Sequence, residues 1–380
     1  MLYKQWDKTG DRISILGFGA MRLPVLEKDP TKIDENKAIS MIRKAIDKGV
    51  NYLDTAWPYH DGQSEPLCGK VMKDGYRDKV FIATKMPSWE IESLEDLDRI
   101  LDQQLERLEV EYIDYYLLHT LTHEYWTKYK NINYKKFVKK AKESGKIRHF
   151  GFSFHDDRDL FKEILDDFDW DFVQIQLNYL DENYQAGMTG AEYAFSRGIP
   201  VIVMEPLRGG MLASTPPTGI QEIINTAEEK KTPAEWALRY IWDKPEVSLI
   251  LSGMSLDEQM EENIQIASNA AAGHLSEKDR LLVNKMKDFY LKKIRVNCTN
   301  CRYCLPCPSN VYIPELFWAY NHDAIFDDFG KAKFWTTGFI PEDQRASKCV
   351  DCGLCESHCP QKIPIRKHLK RIVELYESDD

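Results

Sequence analysis

Asp34-Glu35-Asn36-Lys37-Ala38-Ile39-Ser40-Met41-Ile42-Arg43-Lys44-Ala45-Ile46-Asp47-Lys48-Gly49-Val50-Asn51-Tyr52-Leu53-Asp54-Thr55 reads as one helix followed by one strand. Ala38, Met41, Ile42, Ala45 and Ile46 recur at helical spacing, Asp34 stands where an N-cap acceptor belongs, and Gly49 closes the helix. The short run 51–55 then has the apolar character of a buried strand and carries a carboxylate, Asp54, near its end.

This unit recurs along the chain. Apolar runs rich in Val, Ile, Tyr and Phe fall at 13–21, 51–55, 80–85, 113–119, 149–153, 172–178, 200–205 and 248–253. Amphipathic stretches lie between them, among them 94–108, 134–144 and 256–267. Eight strands each followed by a helix, over about 250 residues, is the count of a parallel (β/α)8 TIM barrel, an α/β fold. A doubly wound sheet is the second reading, but Gly17-Phe18-Gly19 continues as Ala20-Met21-Arg22 and not as a phosphate-binding Gly-x-Gly-x-x-Gly. That segment reads instead as a tight stretch of barrel floor. Residues 2–12, turning at Thr9-Gly10-Asp11, read as a hairpin that plugs the barrel bottom.

Eight of the nine cysteines fall in two runs near the end: Cys298, Cys301, Cys304, Cys307-Pro308 and Cys349, Cys352, Cys355, Cys359-Pro360. Cys-x-x-Cys-x-x-Cys lets one loop place three thiolates round an iron-sulfur cubane, with the fourth from elsewhere. In two-cluster ferredoxins the Cys before Pro serves the other cluster. Cys298, Cys301, Cys304 and Cys359 are therefore assigned to one 4Fe-4S centre, and Cys349, Cys352, Cys355 and Cys307 to a second. Zinc ribbons and disulfides are the competing readings, and neither uses three consecutive Cys-x-x spacings closed by Cys-Pro. The first run departs from the usual pattern, with two residues between Cys304 and Cys307 where three are common. Cys68 stands apart and reads as a half-buried small side chain.

The 380 residues allow one large domain and one smaller one, divided as 1–275 for the barrel, 276–296 for a linking helix and 297–380 for the iron-sulfur domain. With 51 basic against 61 acidic residues the net charge of -10 argues against nucleic acid as a partner. Residues 1–10 lack an apolar signal region, and no run approaches the roughly 18 apolar residues of a membrane span. No membrane association and a reducing, cytoplasmic location are expected.

A barrel carries its chemistry at the carboxyl ends of its strands. There stand Asp54, with Tyr59 in the loop after it, then Lys85 and His119. Any one could be a cap, a packing group or a satisfied core histidine; together they converge on one mouth. Tyr52-Leu53-Asp54-Thr55-Ala56-Trp57-Pro58-Tyr59, Phe81-Ile82-Ala83-Thr84-Lys85 and Asp114-Tyr115-Tyr116-Leu117-Leu118-His119 resemble the three catalytic motifs of the aldo-keto reductases. The likeness extends to Leu16-Gly17-Phe18-Gly19 and to Glu205-Pro206-Leu207-Arg208-Gly209-Gly210, and is to the subgroup with a C-terminal ferredoxin-like domain. It implies Tyr59 as general acid/base, Lys85 and Asp54 as its tuning pair, and His119 as the group that orients the substrate carbonyl. Physical chemistry agrees: a phenol is a reluctant proton donor at neutral pH unless a neighbouring ammonium stabilises its anion.

The same resemblance implies NADP or NAD as cofactor. Ser153 and Gln174 match the positions that bind the nicotinamide amide, although Phe154 follows where the family commonly has Asn. Met204 takes the place of the usual stacking aromatic, followed by Pro206, Leu207 and Arg208. Gly253, Ser255, Gln259, Glu262 and Asn263 match the adenosine-binding turn and helix, and no Lys or Arg occurs between 253 and 263. As an ordinary surface helix this segment would start with Ser255 as N-cap and Glu258 three residues on. Trp57, Trp89 and Phe154 predict an aromatic-lined mouth for a small-molecule carbonyl substrate.

Residues 276–294 predict an amphipathic helix with Leu281, Leu282, Met286 and Phe289 on one face. The 41 residues 308–348 between the cysteine runs are aromatic and helix-leaning, a layout that resembles the α-helical ferredoxins. Ile365, Leu369, Ile372, Val373 and Tyr376 stripe a last helix before an acidic tail. The expected function is hydride transfer between NAD(P)H and a carbonyl or alcohol, with two 4Fe-4S clusters for electron transfer or structure. An external electron-transfer protein is a candidate partner, feeding electrons toward a barrel substrate. The alternative is an electron-transfer or cofactor-sensing subunit whose barrel binds nicotinamide without significant turnover.

Overall fold

The computed structural model describes residues 1–27 and 29–378. The chain divides into two compact units, Met1–Pro206 with Ala234–Leu275, and Leu207–Pro233 with Ser276–Asp380. Residues 207–233 thus group with the C-terminal part of the chain and not with the strands that flank them.

In the first unit β1 (Tyr3–Trp6) and β2 (Asp11–Ser14) form an antiparallel hairpin. Eight parallel strands follow: β3 (Leu16–Gly19), β4 (Tyr52–Asp54), β5 (Phe81–Met86), β6 (Ile113–Leu121), β7 (Ile147–Phe154), β8 (Phe172–Gln176), β9 (Val201–Met204) and β10 (Val247–Gly253). They pair in sequence order and β10 closes on β3, giving the eight-stranded barrel. Trp6 and Ile13 of the hairpin are buried with Tyr52, Tyr115, Phe172 and Leu249 of the strands, so apolar packing seals that end of the barrel. Gly17-Phe18-Gly19 is not floor, as the sequence suggested: it lies in β3, and Gly19 pairs with Asp54 and Gly253 at the carboxyl ends.

The helix Glu35–Asp47 starts where expected, with the Asp34 carboxylate accepting the Lys37 N–H at 3.2 Å, and Gly49 follows it at φ +100°. Cys68 is fully buried and not half-buried; desolvation pushes its thiol up to about 12. Phe154 is also fully buried, packed on Phe152 and Phe161, and belongs to the core and not to the mouth.

In the second unit the helix Glu277–Lys293 buries Leu282, Val283, Met286 and Tyr290. Leu281 is exposed, because the helical phase turns it away from that face. Gly219, on the helix Thr218–Asn225, lies so close to the Phe289 ring that a Cβ would stand 2.4 Å from it. The helices Ile313–Phe326 and Ile365–Ile372 pack through Ile313, Leu316, Phe317, Ile365, Leu369, Ile372 and Tyr376. Beside this core Arg295 donates to Asp323 at 2.7 Å and to the Tyr376 oxygen at 3.1 Å. The acidic tail at 379–380 lies outside the described residues. Among the described residues no helix is long and apolar enough to cross a membrane.

The barrel wall predicts one sharp sensitivity. A Cβ on Gly151 of β7 would stand 2.4 Å from the Phe172 carbonyl oxygen of β8, where neither strand can yield without breaking the ladder. Gly151→Ala is expected to destabilise the protein by about 1–3 kcal/mol or more, read as a lowered midpoint in urea denaturation.

Candidate active site and cysteine cavities

Strand register brings the catalytic candidates together. Asp54 ends β4 and pairs with Ala83 of β5, two residues before Lys85. Alternation along β5 points both Ala83 and Lys85 into the barrel. There the Lys85 Nζ donates to Asp54 Oδ1 at 2.5 Å, to the Thr55 carbonyl at 2.8 Å and to the Tyr59 Oη at 3.4 Å. Tyr59 sits in the loop after β4, where its N–H donates to Ala56 O and its carbonyl accepts from the Ser64 N–H. Trp57 in the same loop lies under Arg107, 3.5 Å from the guanidinium carbon to the ring centre. His119 of β6 is 6.2 Å from Tyr59 ring to ring, and Trp89 is 5.3 Å from His119. The Ser88 hydroxyl donates to the His119 carbonyl and anchors that strand end.

Electrostatics follow from burial. Lys85 is 1 % exposed and Asp54 2 %. Desolvation pushes the Asp54 carboxyl up and the Lys85 ammonium down, and each is pulled back by the charge of the other. An ammonium with three acceptors, one of them a carboxylate, is the arrangement that keeps both ionised. His119 is held well below its ordinary value by burial, then by Lys85 and His155, so its imidazole is neutral at pH 7.

Ser153 and Gln174 stand side by side on β7 and β8. Ser153 Oγ accepts the Thr120 N–H at 2.8 Å, and Gln174 Oε1 is buried without a hydrogen-bond partner. That orphaned acceptor beside a hydroxyl suits a primary amide such as nicotinamide carries. Met204 ends β9 and Pro206 follows in the first unit, whereas Leu207 and Arg208 fall in the second, where Arg208 Nη2 donates to Asn297 Oδ1 at 2.8 Å. Gly253 ends β10, and Asn263 is buried with its Nδ2 donating to Ser252 Oγ at 3.0 Å. Glu262 is half-buried on the helix Asp257–Ser268.

Ser255 is not the N-cap of that helix. Leu256 holds the cap position, and Gln259 Oε1 accepts the N–H groups of Ser255 at 2.9 Å and Leu256 at 3.3 Å. The Ser255 hydroxyl donates instead to the Arg22 carbonyl at 2.6 Å, and the Arg22 stem lies over Gly253. Arg22 therefore brings a cation to a region whose own sequence has none. No local signal reveals this, because Arg22 follows β3 and reaches Gly253 only when the barrel closes.

The chain matches the model of the aldo/keto reductase family over residues 15–272. It belongs to that family. Residues 297–363 of this aldo/keto reductase match a 4Fe-4S dicluster domain. It is 29 % identical over 282 residues to an L-galactose dehydrogenase from Arabidopsis thaliana, covering 67 % of this chain and 85 % of that one. It is 26 % identical over 299 residues to an NADH-specific methylglyoxal reductase from Escherichia coli, covering 67 % and 89 %. Among solved structures, the holo form of aldo-keto reductase AKR11C1 from Bacillus halodurans superposes with a TM-score of 0.64 at 26 % identity, covering 75 % of this chain and 96 % of that one. The protein is thus an NAD(P)H-dependent oxidoreductase of this family.

The second unit holds two cysteine-lined cavities. Cys298, Cys301, Cys304 and Cys359 line one; Cys307, Cys349, Cys352 and Cys355 line the other. Both three-cysteine loops curl the same way: Asn300 and Arg302 flank Cys301 at φ 55° and 68°, and Asp351 and Gly353 flank Cys352 at 61° and 81°. Left-handed residues on either side of the middle cysteine wrap the loop round a central object. Among the described residues no three Cys, His, Asp or Glu side chains gather tightly enough for a single metal ion, as a zinc site would need. Burial, then Glu356 and the neighbouring sulfurs, push the Cys355 thiol up to about 11. Burial pushes the Cys359 thiol up, and the backbone N–H groups of Ile363, Gln361 and Lys362 that face its sulfur pull it partly back. The four-sulfur sets and their spaces fit cubanes.

A buried ion pair predicts non-additive mutations. Lys85→Met alone is expected to cost about 3–5 kcal/mol by stranding Asp54, while the Asp54→Leu/Lys85→Met double variant costs less than that single change. Urea denaturation of the two single variants and the double variant measures the difference.

Proposed function

We propose that this aldo/keto reductase reduces a small-molecule carbonyl, or oxidises the corresponding alcohol, with Tyr59 as the proton donor and acceptor. The observation that carries this reading is the Lys85 ammonium held between Asp54 and the Tyr59 oxygen, buried at the carboxyl end of the barrel. A bound dihydronicotinamide supplies the hydride. The ammonium donates to the phenolic oxygen, which leaves the phenol proton for the substrate and stabilises the negative charge that develops as it departs. Asp54 keeps the ammonium charged and in place. Neutral His119 orients the carbonyl oxygen through a ring nitrogen, and Trp57 and Trp89 contribute apolar walls. Ser153 and Gln174 would hold the nicotinamide amide and Met204 its ring, with Pro206, Gly253, Ser255, Gln259, Glu262 and Asn263 toward the rest of the dinucleotide. NADH and NADPH both suit this frame.

We further read the two cavities as holding one 4Fe-4S cluster each, ligated crosswise by Cys298, Cys301, Cys304, Cys359 and by Cys307, Cys349, Cys352, Cys355. Bound clusters supply one-electron exchange. Cys352 is exposed on its loop, with Val350 68 % exposed beside it, which supports exchange with an external electron-transfer protein. Oxygen-labile clusters fit a reducing cytoplasm.

Tyr59→Phe is expected to lower kcat by about 10²–10⁴-fold with carbonyl substrates while dinucleotide affinity changes little, checked by steady-state rates and fluorescence titration. A variant with undiminished turnover contradicts the assignment. Anaerobically purified protein should carry about eight iron and eight sulfide per chain, falling to about half in Cys304→Ser. If dithionite-reduced protein converts no substrate without NAD(P)H, the clusters do not feed the barrel.

A further inference from the structure

Glu65 lies on the helix Ser64–Val71, fully buried, and none of the roles above uses it. Its Oε1 accepts from the Thr84 hydroxyl at 2.6 Å and from Gln104 Nε2 at 2.6 Å, and its Oε2 from Arg107 Nη1 at 3.2 Å. Burial pushes the Glu65 carboxyl up, and the Thr84, Gln104 and Arg107 donors together with the Arg107 charge pull it back toward the ionised form. The donors lead in two directions. Thr84 immediately precedes Lys85, and Gln104 Nε2 also donates to the Lys85 carbonyl at 3.0 Å, with its Oε1 held by the Tyr116 hydroxyl at 2.6 Å. Arg107 covers Trp57, two residues before Tyr59. Ser64, next to Glu65, pairs with Thr55 at 2.8 Å, and the Thr55 carbonyl accepts from Lys85. Both the strand end that carries Lys85 and the loop that carries Tyr59 are thus tied to one buried carboxylate.

We propose that Glu65 is a positioning residue of the reductase site: a second buried carboxylate that ties the strand end carrying Lys85 to the loop carrying Tyr59. The inference rests on the Tyr59–Lys85 reading above and deepens it. Burial lowers the Lys85 ammonium, and the Glu65 charge is among those that raise it again and help keep the amine protonated.

The groups that face Lys85 are Asp54 on β4, Tyr59 in its loop, His119 on β6, and Glu65 and Cys68 on the helix. Those that face Glu65 are Thr84, Gln104, Arg107 and Tyr116. Removing the Glu65 charge weakens the hold on the Lys85 proton and eases loss of the Tyr59 proton, and both changes move the alkaline loss of reductase activity to lower pH. Removing the Arg107 charge acts in the opposite sense.

The test is the pH profile of kcat/KM for carbonyl reduction by the holoenzyme, with thermal unfolding recorded beside it. Glu65→Gln is expected to leave the neutral plateau within severalfold of wild type and to fall about tenfold below it on the alkaline limb. Arg107→Gln is expected to shift that limb to higher pH, and decides the matter if Glu65→Gln does not fold. A limb that stays in place in both variants, with only a lowered Tm, makes Glu65 a structural residue and overturns the proposal. Wild-type protein without any carbonyl turnover would instead sink the underlying reading, so the two failures are distinct.

Discussion

A lysine ammonium that cannot reach water is the constraint round which the barrel mouth is arranged. Moving such a charge into a protein interior costs several kcal/mol even after relaxation, so its neighbours must replace the lost hydration. Asp54, the Thr55 carbonyl and the Tyr59 oxygen do so, and each requires a particular chain position. Asp54 must end β4, β5 must run in the register that sets Lys85 beyond Ala83, and the loop after β4 must turn back at Ala56. Because breaking the pair is far more costly than building it, the same ion pair also penalises slippage of β4 against β5.

Much of this was legible in the sequence, for identifiable reasons. Strand and helix alternation is a local signal, and the eight strands fell where the apolar runs lie because parallel strands are buried on both faces. Asp34 capped its helix as its side chain dictates. The errors concern which way a segment faces. Gly17-Phe18-Gly19 reads as floor because nothing local distinguishes the two ends of a barrel strand. Phe154 was set at the mouth, yet the strand alternation that aims Ser153 one way turns Phe154 to the helices. Leu281 failed by one helical position, and Ser255 lost the cap to a side-chain acceptor, Gln259, placed one turn later.

What the sequence left unread is long-range. Arg22 meets Gly253 only through barrel closure, and Glu65 becomes part of the site only through Thr84 and Gln104 on other elements. The cysteine loops were more transparent, since a Cys-x-x-Cys-x-x-Cys loop encodes its own curvature. Even so, the left-handed Arg302 shows the cost of that curl where glycine is absent: its counterpart in the second loop is Gly353. The chain thus carries an aldo/keto reductase barrel and, in its second unit, two cavities each lined by four cysteines, built from local motifs and completed by distant partners.

The charge state of Lys85 is the point on which the account stands. Lysine-selective ¹⁵N NMR of the full-length protein, with the signal assigned through Lys85→Arg, reads it directly. The account predicts an ammonium at pH 7 that loses its proton at lower pH when Asp54 is changed to Asn. A neutral Lys85 amine at pH 7, or one whose titration ignores Asp54→Asn, would contradict it.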